Sequence, residues 1–166
     1  HQFRDIGYMC HMSDPEGFSI ELLQHHFEMN RPENFGSLGE PLGGGAQIGQ
    51  VTLRSTDIAS TLAFYQDQLD MTLLSVQPVE RRGFTLYFLA FTDDVPPNSH
   101  LEAVENREWL WQRPYTTLEI QHLEKADALV QPSNEEAAGF AGLVMTGSDC
   151  ISHMQDETGS SIFLQP

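Results

Sequence analysis

The sequence predicts an α+β fold assembled from short modules, one of them incomplete. Two observations carry this. A twelve-residue hairpin occurs twice, as His11-Met12-Ser13-Asp14-Pro15-Glu16-Gly17-Phe18-Ser19-Ile20-Glu21-Leu22 and as His153-Met154-Gln155-Asp156-Glu157-Thr158-Gly159-Ser160-Ser161-Ile162-Phe163-Leu164, with seven positions identical. Between the copies, the hydrophobic pattern of residues 47–123 reads strand, helix, strand, strand, strand. Internal repetition marks a structural unit used more than once. The copies differ at a chemically decisive place, since Glu21 in the first corresponds to Phe163 in the second.

Residues 1–27 form a closing β-hairpin, with strands over 4–12 and 18–24. Asp14-Pro15-Glu16-Gly17 joins them, because Pro presets a turn dihedral and Gly accepts positive φ. Residues 28–46 carry Pro32, Pro41, Gly36, Gly39 and Gly43-Gly44-Gly45 with no packing period, and read as a linker. Residues 47–123 form a complete module. Its first strand puts Ile48, Gln50, Thr52 and Arg54 on one face and Gly49, Val51, Leu53 and Ser55 on the other. Asp57 suits an N-cap, and Ile58, Leu62, Tyr65 and Leu69 follow at helical spacing with Phe64 beside them. Residues 71–79 and 84–91 are strands joined near Arg81-Arg82-Gly83. Residues 93–113 form a loop with Pro96-Pro97 and a short helix near 101–110. Residues 115–122 are a strand with Thr117, Glu119 and Gln121 on one face. Residues 124–166 form a shortened module. After a helical or irregular stretch, a first strand over 139–146 runs almost directly into the repeat hairpin, without the intervening helix and second strand.

At 166 residues and 40% apolar, the chain suits one domain or two small modules sharing a core. No run approaches the ~20 apolar residues of a membrane span, and no signal peptide is visible. His1-Gln2-Phe3-Arg4 enters a strand-like run at once without an initiator Met, as in a stretch that begins inside a longer gene product or after removal of upstream residues. The formal charge of −16 argues against nucleic acid and against an anionic membrane surface as partners. Five of the eight basic residues, Arg54, Arg81, Arg82, Arg107 and Arg113, fall in one middle stretch. They suit a basic rim for an anionic small molecule, with solvated surface arginines as the alternative. Cys10 and Cys150 are too few for a disulfide scaffold and read as buried thiols of a reducing cytoplasm, with pairing across adjacent strands as the alternative. The expected location is cytoplasmic.

Several segments match a known module in order. They are Gln50-Val51-Thr52-Leu53-Arg54, Phe64-Tyr65, Leu69-Asp70-Met71-Thr72-Leu73, Phe84-Thr85-Leu86-Tyr87-Phe88-Leu89 and Thr117-Leu118-Glu119-Ile120-Gln121-His122. Asp14-Pro15-Glu16-Gly17 with Ile20-Glu21-Leu22-Leu23 matches the hairpin that closes its partner module. On these residues the sequence resembles the vicinal oxygen chelate superfamily of glyoxalase I, bleomycin-resistance proteins and dioxygenases, and within it glyoxalase I. The resemblance implies paired βαβββ modules forming curved mixed sheets around a cleft, with ligands on the first and last strands of each module. It implies Gln50 and Glu119 as metal ligands from the central module and Glu21 from its partner. Glu21 and Glu119 are then the catalytic acids, with Glu21 the proton-transfer base. The fourth ligand would be a histidine, but Gly142 stands at its place; water, another histidine or a degenerate site are the alternatives. Arg54 matches an arginine that contacts a carboxylate of glutathione, with a surface ion pair as the alternative. Val79, Leu86 and Phe88 match an apolar substrate pocket, with ordinary sheet core as the alternative. Leu123 departs from the family's asparagine.

The implied function is a metal-dependent lyase/isomerase, lactoylglutathione lyase-like, acting on a small oxygenated substrate such as a glutathione hemithioacetal. Its cofactor would be a divalent metal, zinc or nickel first, acting as a Lewis acid on the developing enediolate. The alternative is a non-catalytic small-molecule-binding protein of the bleomycin-resistance type with a degenerate metal site. A homodimer is expected, because a two-fold partner can complete an incomplete module.

Overall fold

The computed structural model describes residues 1–125, 141–147, 152–156 and 158–165. The strands are β1 (Gln2–Phe3), β2 (Gly7–Ser13), β3 (Ser19–Leu23), β4 (Gln50–Ser55), β5 (Thr72–Val79), β6 (Phe84–Ala90), β7 (Thr117–Leu123), β8 (Leu143–Thr146), β9 (Ser152–Gln155) and β10 (Ser161–Gln165). They form three sheets, ordered β1-β2-β3, β4-β7-β6-β5 and β8-β10-β9. The helices are α1 (Ile58–Leu62) and α2 (Val104–Trp111).

The central sheet and α1 have the expected strand, helix, strand, strand, strand order, with β4 parallel to β7 and the other neighbours antiparallel. Asp57 caps α1 by accepting from the backbone N–H of Ser60 at 3.2 Å. The helix does not stay α-helical, as its period suggested. It widens into a π-helix over Ala63–Gln68, which buries Phe64 and Tyr65 in an edge-to-face pair at 5.1 Å. The β5–β6 turn closes on Gly83 at φ +70°, a conformation that favours glycine.

The register of the central sheet sets out its two faces. Gln50 lies beside Thr117, Thr52 beside Glu119, and Arg54 beside Gln121. Glu119 then lies beside Phe88, and Gln121 beside Leu86. Paired residues share a face, so these side chains form one floor, polar at β4 and β7 and apolar at β6. The first sheet and α2 cover the apolar part, in a core of Ile6, Met9, Leu74, Val79, Leu86, Phe88, Leu110 and Trp111. The opposite face packs Leu53, Leu89, Leu118 and Ile120 against Phe64, Tyr65 and Leu69, and Ile162 of the third sheet joins them. Tyr65 also donates its hydroxyl to Asp156 at 2.9 Å, docking that sheet.

The two repeat copies fold alike. Asp14 and Asp156 each accept from the backbone N–H four residues on, at 2.8 and 2.9 Å, and Gly17 and Gly159 both take positive φ. Their registers match, with His11 opposite Glu21 and His153 opposite Phe163. They differ in the third strand of each sheet. β1 pairs with β2, whereas β8 pairs in parallel with β10, so the extra strands flank opposite edges. Burial differs as well, since Ile162 is fully enclosed while Ile20 is 40% exposed.

Two expectations need correction. Cys10 is exposed and free rather than buried, because it sits on the face of β2 opposite Met9, whose side chain enters the core. Cys150 lies outside the described residues. Arg107 is not part of a rim. It is buried and bridges to Asp5 at 2.9 Å.

Trp111 joins α2 to the first sheet, donating its indole N–H to the Ile6 carbonyl at 2.8 Å. Trp111→Phe keeps a ring but strands that carbonyl, so a loss of about 1–3 kcal/mol in urea unfolding is expected. Amide exchange should rise in β1–β3 before it rises in β4–β7.

Candidate active site in the cleft

The first sheet closes over the central sheet and leaves a cleft of about 1500 Å³. Glu21, Gln50, Arg54, Val79, Leu86, Phe88 and Glu119 all line it. Glu21 comes from β3, Gln50 and Arg54 from β4, Val79 from β5, Leu86 and Phe88 from β6, and Glu119 from β7.

Glu119 sits at the centre of the polar floor with 6% exposure. Gln50 Nε2 donates to its Oε2 at 2.8 Å, and Thr52 Oγ1 donates to its Oε1 at 3.2 Å. Burial raises its pKa to about 7, the negative charge of Glu21 adds to the rise, and the two hydrogen bonds oppose it. Glu21 is partly exposed, and its Oε2 lies 2.9 Å from His11 Nε2. Burial raises its pKa as well, against the pull of His11.

Arg54 Nε donates to Gln121 Oε1 at 3.1 Å, and among the described residues it has no carboxylate partner within ion-pair distance. Arg82 and Arg113 also line the cleft. Arg82 lies 5.8 Å from the Phe3 ring centroid, and Arg113 pairs with Asp94 at 3.6 Å while stacking on Trp109. Val79, Leu86 and Phe88 belong to the core and also face the cleft, so the two readings of their role coexist.

Gly142 does not line the cleft. It holds φ +148°, and a Cβ there would stand 2.4 Å from the Ser161 carbonyl oxygen. Backbone is hard to displace, so no imidazole can be carried at that position without rebuilding the third sheet.

The donor set suits a divalent cation in its chemistry. Two carboxylates, one amide and the His11 imidazole offer oxygen and nitrogen ligands. A buried acid whose pKa is raised by desolvation and by the charge of a second acid is also the electrostatic condition a cation relieves. Among the described residues no three His, Cys, Asp or Glu side chains already converge at ligand distance. Binding would therefore gather Glu21 and Gln50 by side-chain rotation rather than meet a rigid cage.

His11 was missed as a cleft residue, although the hairpin encodes it. Ser13 pairs with Ser19 around the turn, and counting back two places sets His11 against Glu21. Trp111 carried no comparable signal, because its partner Ile6 is 105 residues away.

No protein-family model matches the chain. A 56-residue match, 33% of this chain and 17% of the relative, is 41% identical to glyoxalase I of Saccharomyces cerevisiae. Glyoxalase I of Zea mays superposes on 94% of the chain with a TM-score of 0.57 at 18% identity. The trypanothione-dependent glyoxalase I of Leishmania major covers 72% of the chain and matches over 86% of its own length, with a TM-score of 0.53 at 15% identity. The fold is that of glyoxalase I. The chain spans about half of the maize glyoxalase I, at 53% of its length. Among the described residues, no helix of this glyoxalase fold is long and apolar enough to cross a membrane.

The raised pKa of Glu119 sets a pH dependence. Its value is 4.5 when unperturbed and about 7 in the fold, so folding favours the protonated form. The stability this gives is fully present below about pH 4.5 and is lost as pH rises through about 7. The span corresponds to about 3 kcal/mol. Urea unfolding between pH 5 and 8 should show stability falling with pH. Glu119→Gln should flatten most of that slope and be the more stable protein at pH 8.

Proposed function

We propose that the cleft catalyses a metal-dependent, glyoxalase-type isomerisation of a hemithioacetal formed from glutathione or a similar anionic thiol. The observation that carries this reading is the meeting of Glu21, Gln50 and Glu119 in one cleft beside an apolar floor. When bound, the divalent ion, zinc or nickel first, supplies a Lewis acid for the negative charge that develops on the two adjacent substrate oxygens. Glu21 takes the proton from the carbon bearing sulfur and returns it to the neighbouring carbon. The electron pair of the broken C–H bond reorganises through the enediolate, and the product is the thioester of a 2-hydroxy acid, with no oxidant consumed. Glu119, with its pKa near 7, and Gln50 hold the oxygen-facing side of the cleft. Arg54 grips a substrate carboxylate with its planar guanidinium, and Val79, Leu86 and Phe88 receive the apolar end. We further propose a homodimer, since β3 has a partner only on its β2 side among the described residues.

One specific observation favours a second reading, in which the cleft binds a small molecule without chemistry: the closed position at Gly142 leaves the family's histidine without a place. Turnover assays with zinc or nickel added to metal-stripped protein separate the two. Isomerisation of a glutathione hemithioacetal is expected, with a loss of at least ~100-fold in kcat for Glu21→Gln. Arg54→Ala should raise KM by about tenfold and change kcat less. Tight binding of the hemithioacetal with no turnover under any metal would select the second reading.

A further inference from the structure

We propose that His11 supplies the nitrogen donor absent at Gly142, so that a divalent cation in the cleft is held by His11, Glu21, Gln50 and Glu119. This rests on the reading of the cleft as a cation site. The register of β2 and β3 sets His11 directly against Glu21, and both residues line the cleft. His11 Nε2 stands 2.9 Å from Glu21 Oε2. This contact keeps the imidazole and the carboxylate side by side on one pair of strands. The His11 side chain is 61% exposed, so it is free of packing duties and can turn toward an ion.

Two other imidazoles, His25 and His153, are less suited. His25 lines the cleft, but its ring meets Phe35 edge-on at 6.4 Å and it has no carboxylate pair among the described residues. His153 occupies the place of His11 in the second repeat, where it stacks on Phe163 at 4.8 Å and 19°. The same hairpin therefore pairs imidazole with phenyl in one copy and with carboxylate in the other. Only the carboxylate copy faces the floor that carries Gln50 and Glu119. A site of three oxygens and one imidazole nitrogen favours zinc, cobalt or nickel over magnesium or calcium, which prefer oxygen alone.

The test titrates metal-stripped protein with Co²⁺, following calorimetry, visible absorption and hyperfine-shifted proton resonances. Wild type should bind one Co²⁺ per cleft and show an exchangeable imidazole N–H signal that vanishes in D₂O. His11→Ala should lose that signal and weaken binding at least about tenfold. His25→Ala should keep both, and Mg²⁺ should not displace the Co²⁺. Circular dichroism and thermal melting identify any variant that has lost its fold, and His11→Gln then gives the same comparison with a polar side chain of similar reach. If wild type binds Co²⁺ and His11→Ala matches it in affinity and resonance, the role of His11 is overturned while the cation site stands. If wild type takes up no Co²⁺ at millimolar concentration, both this assignment and the metal-dependent reading fall.

Discussion

Trp111 donates to the Ile6 carbonyl at 2.8 Å and meets Phe88 edge-on at 5.2 Å, and through these contacts α2 clasps the first sheet to the central one. The rest of that helix adds to the grip. Arg107 bridges to Asp5, and Glu108 accepts from the Phe27 backbone N–H and from the Asn30 amide. The polar floor of β4 and β7 would be an ordinary wet sheet face without this cover. With it, Glu119 is desolvated and brought within range of the Glu21 charge. The electrostatics of the cleft are thus a consequence of a tertiary contact made far from the acids in sequence.

The repeated hairpin shows how strongly surroundings decide what a sequence motif becomes. Its register and its turn hydrogen bond to aspartate are the same in both copies. In the third sheet the hairpin buries Ile162 against Phe64 and Tyr65, and its ring pair His153–Phe163 is a stacking contact. In the first sheet it leaves Ile20 partly exposed and turns His11 and Glu21 into the cleft. Local chemistry fixes the strand pairing, and packing partners decide which face has work to do.

Much of the fold was legible in the chain because alternation and turn residues are local signals. The faces of β4 and β7 follow from period-two patterning, and placing Gln50 with Glu119 needed only the parallel pairing of two strands. The Asp57 cap and the Gly83 turn are likewise written in a few neighbouring residues. The parts that were not legible depend on contacts distant in sequence. Arg107 reads as surface charge within its own segment, but its partner Asp5 lies near the start of the chain, and Cys10 is apolar enough to bury, but its strand face is the outer one. The widening of the helix after Leu62 follows from how Phe64 and Tyr65 seat in the core, which no helical period records.

The two acids cost the scaffold stability, and that cost fits the proposed reading of the cleft as a binding or catalytic site. Raising a carboxyl from 4.5 to about 7 costs stability at neutral pH, and a second acid facing it increases that cost. An apolar side chain at either place would avoid it. The chain itself holds that substitution, since Phe163 fills the position of Glu21 in the second copy and packs on its neighbouring imidazole. The hairpin therefore folds without the acid. On the proposed reading the cleft keeps Glu21 and Glu119 as oxygen donors, and the destabilisation is what a binding or catalytic site imposes on the scaffold that carries it.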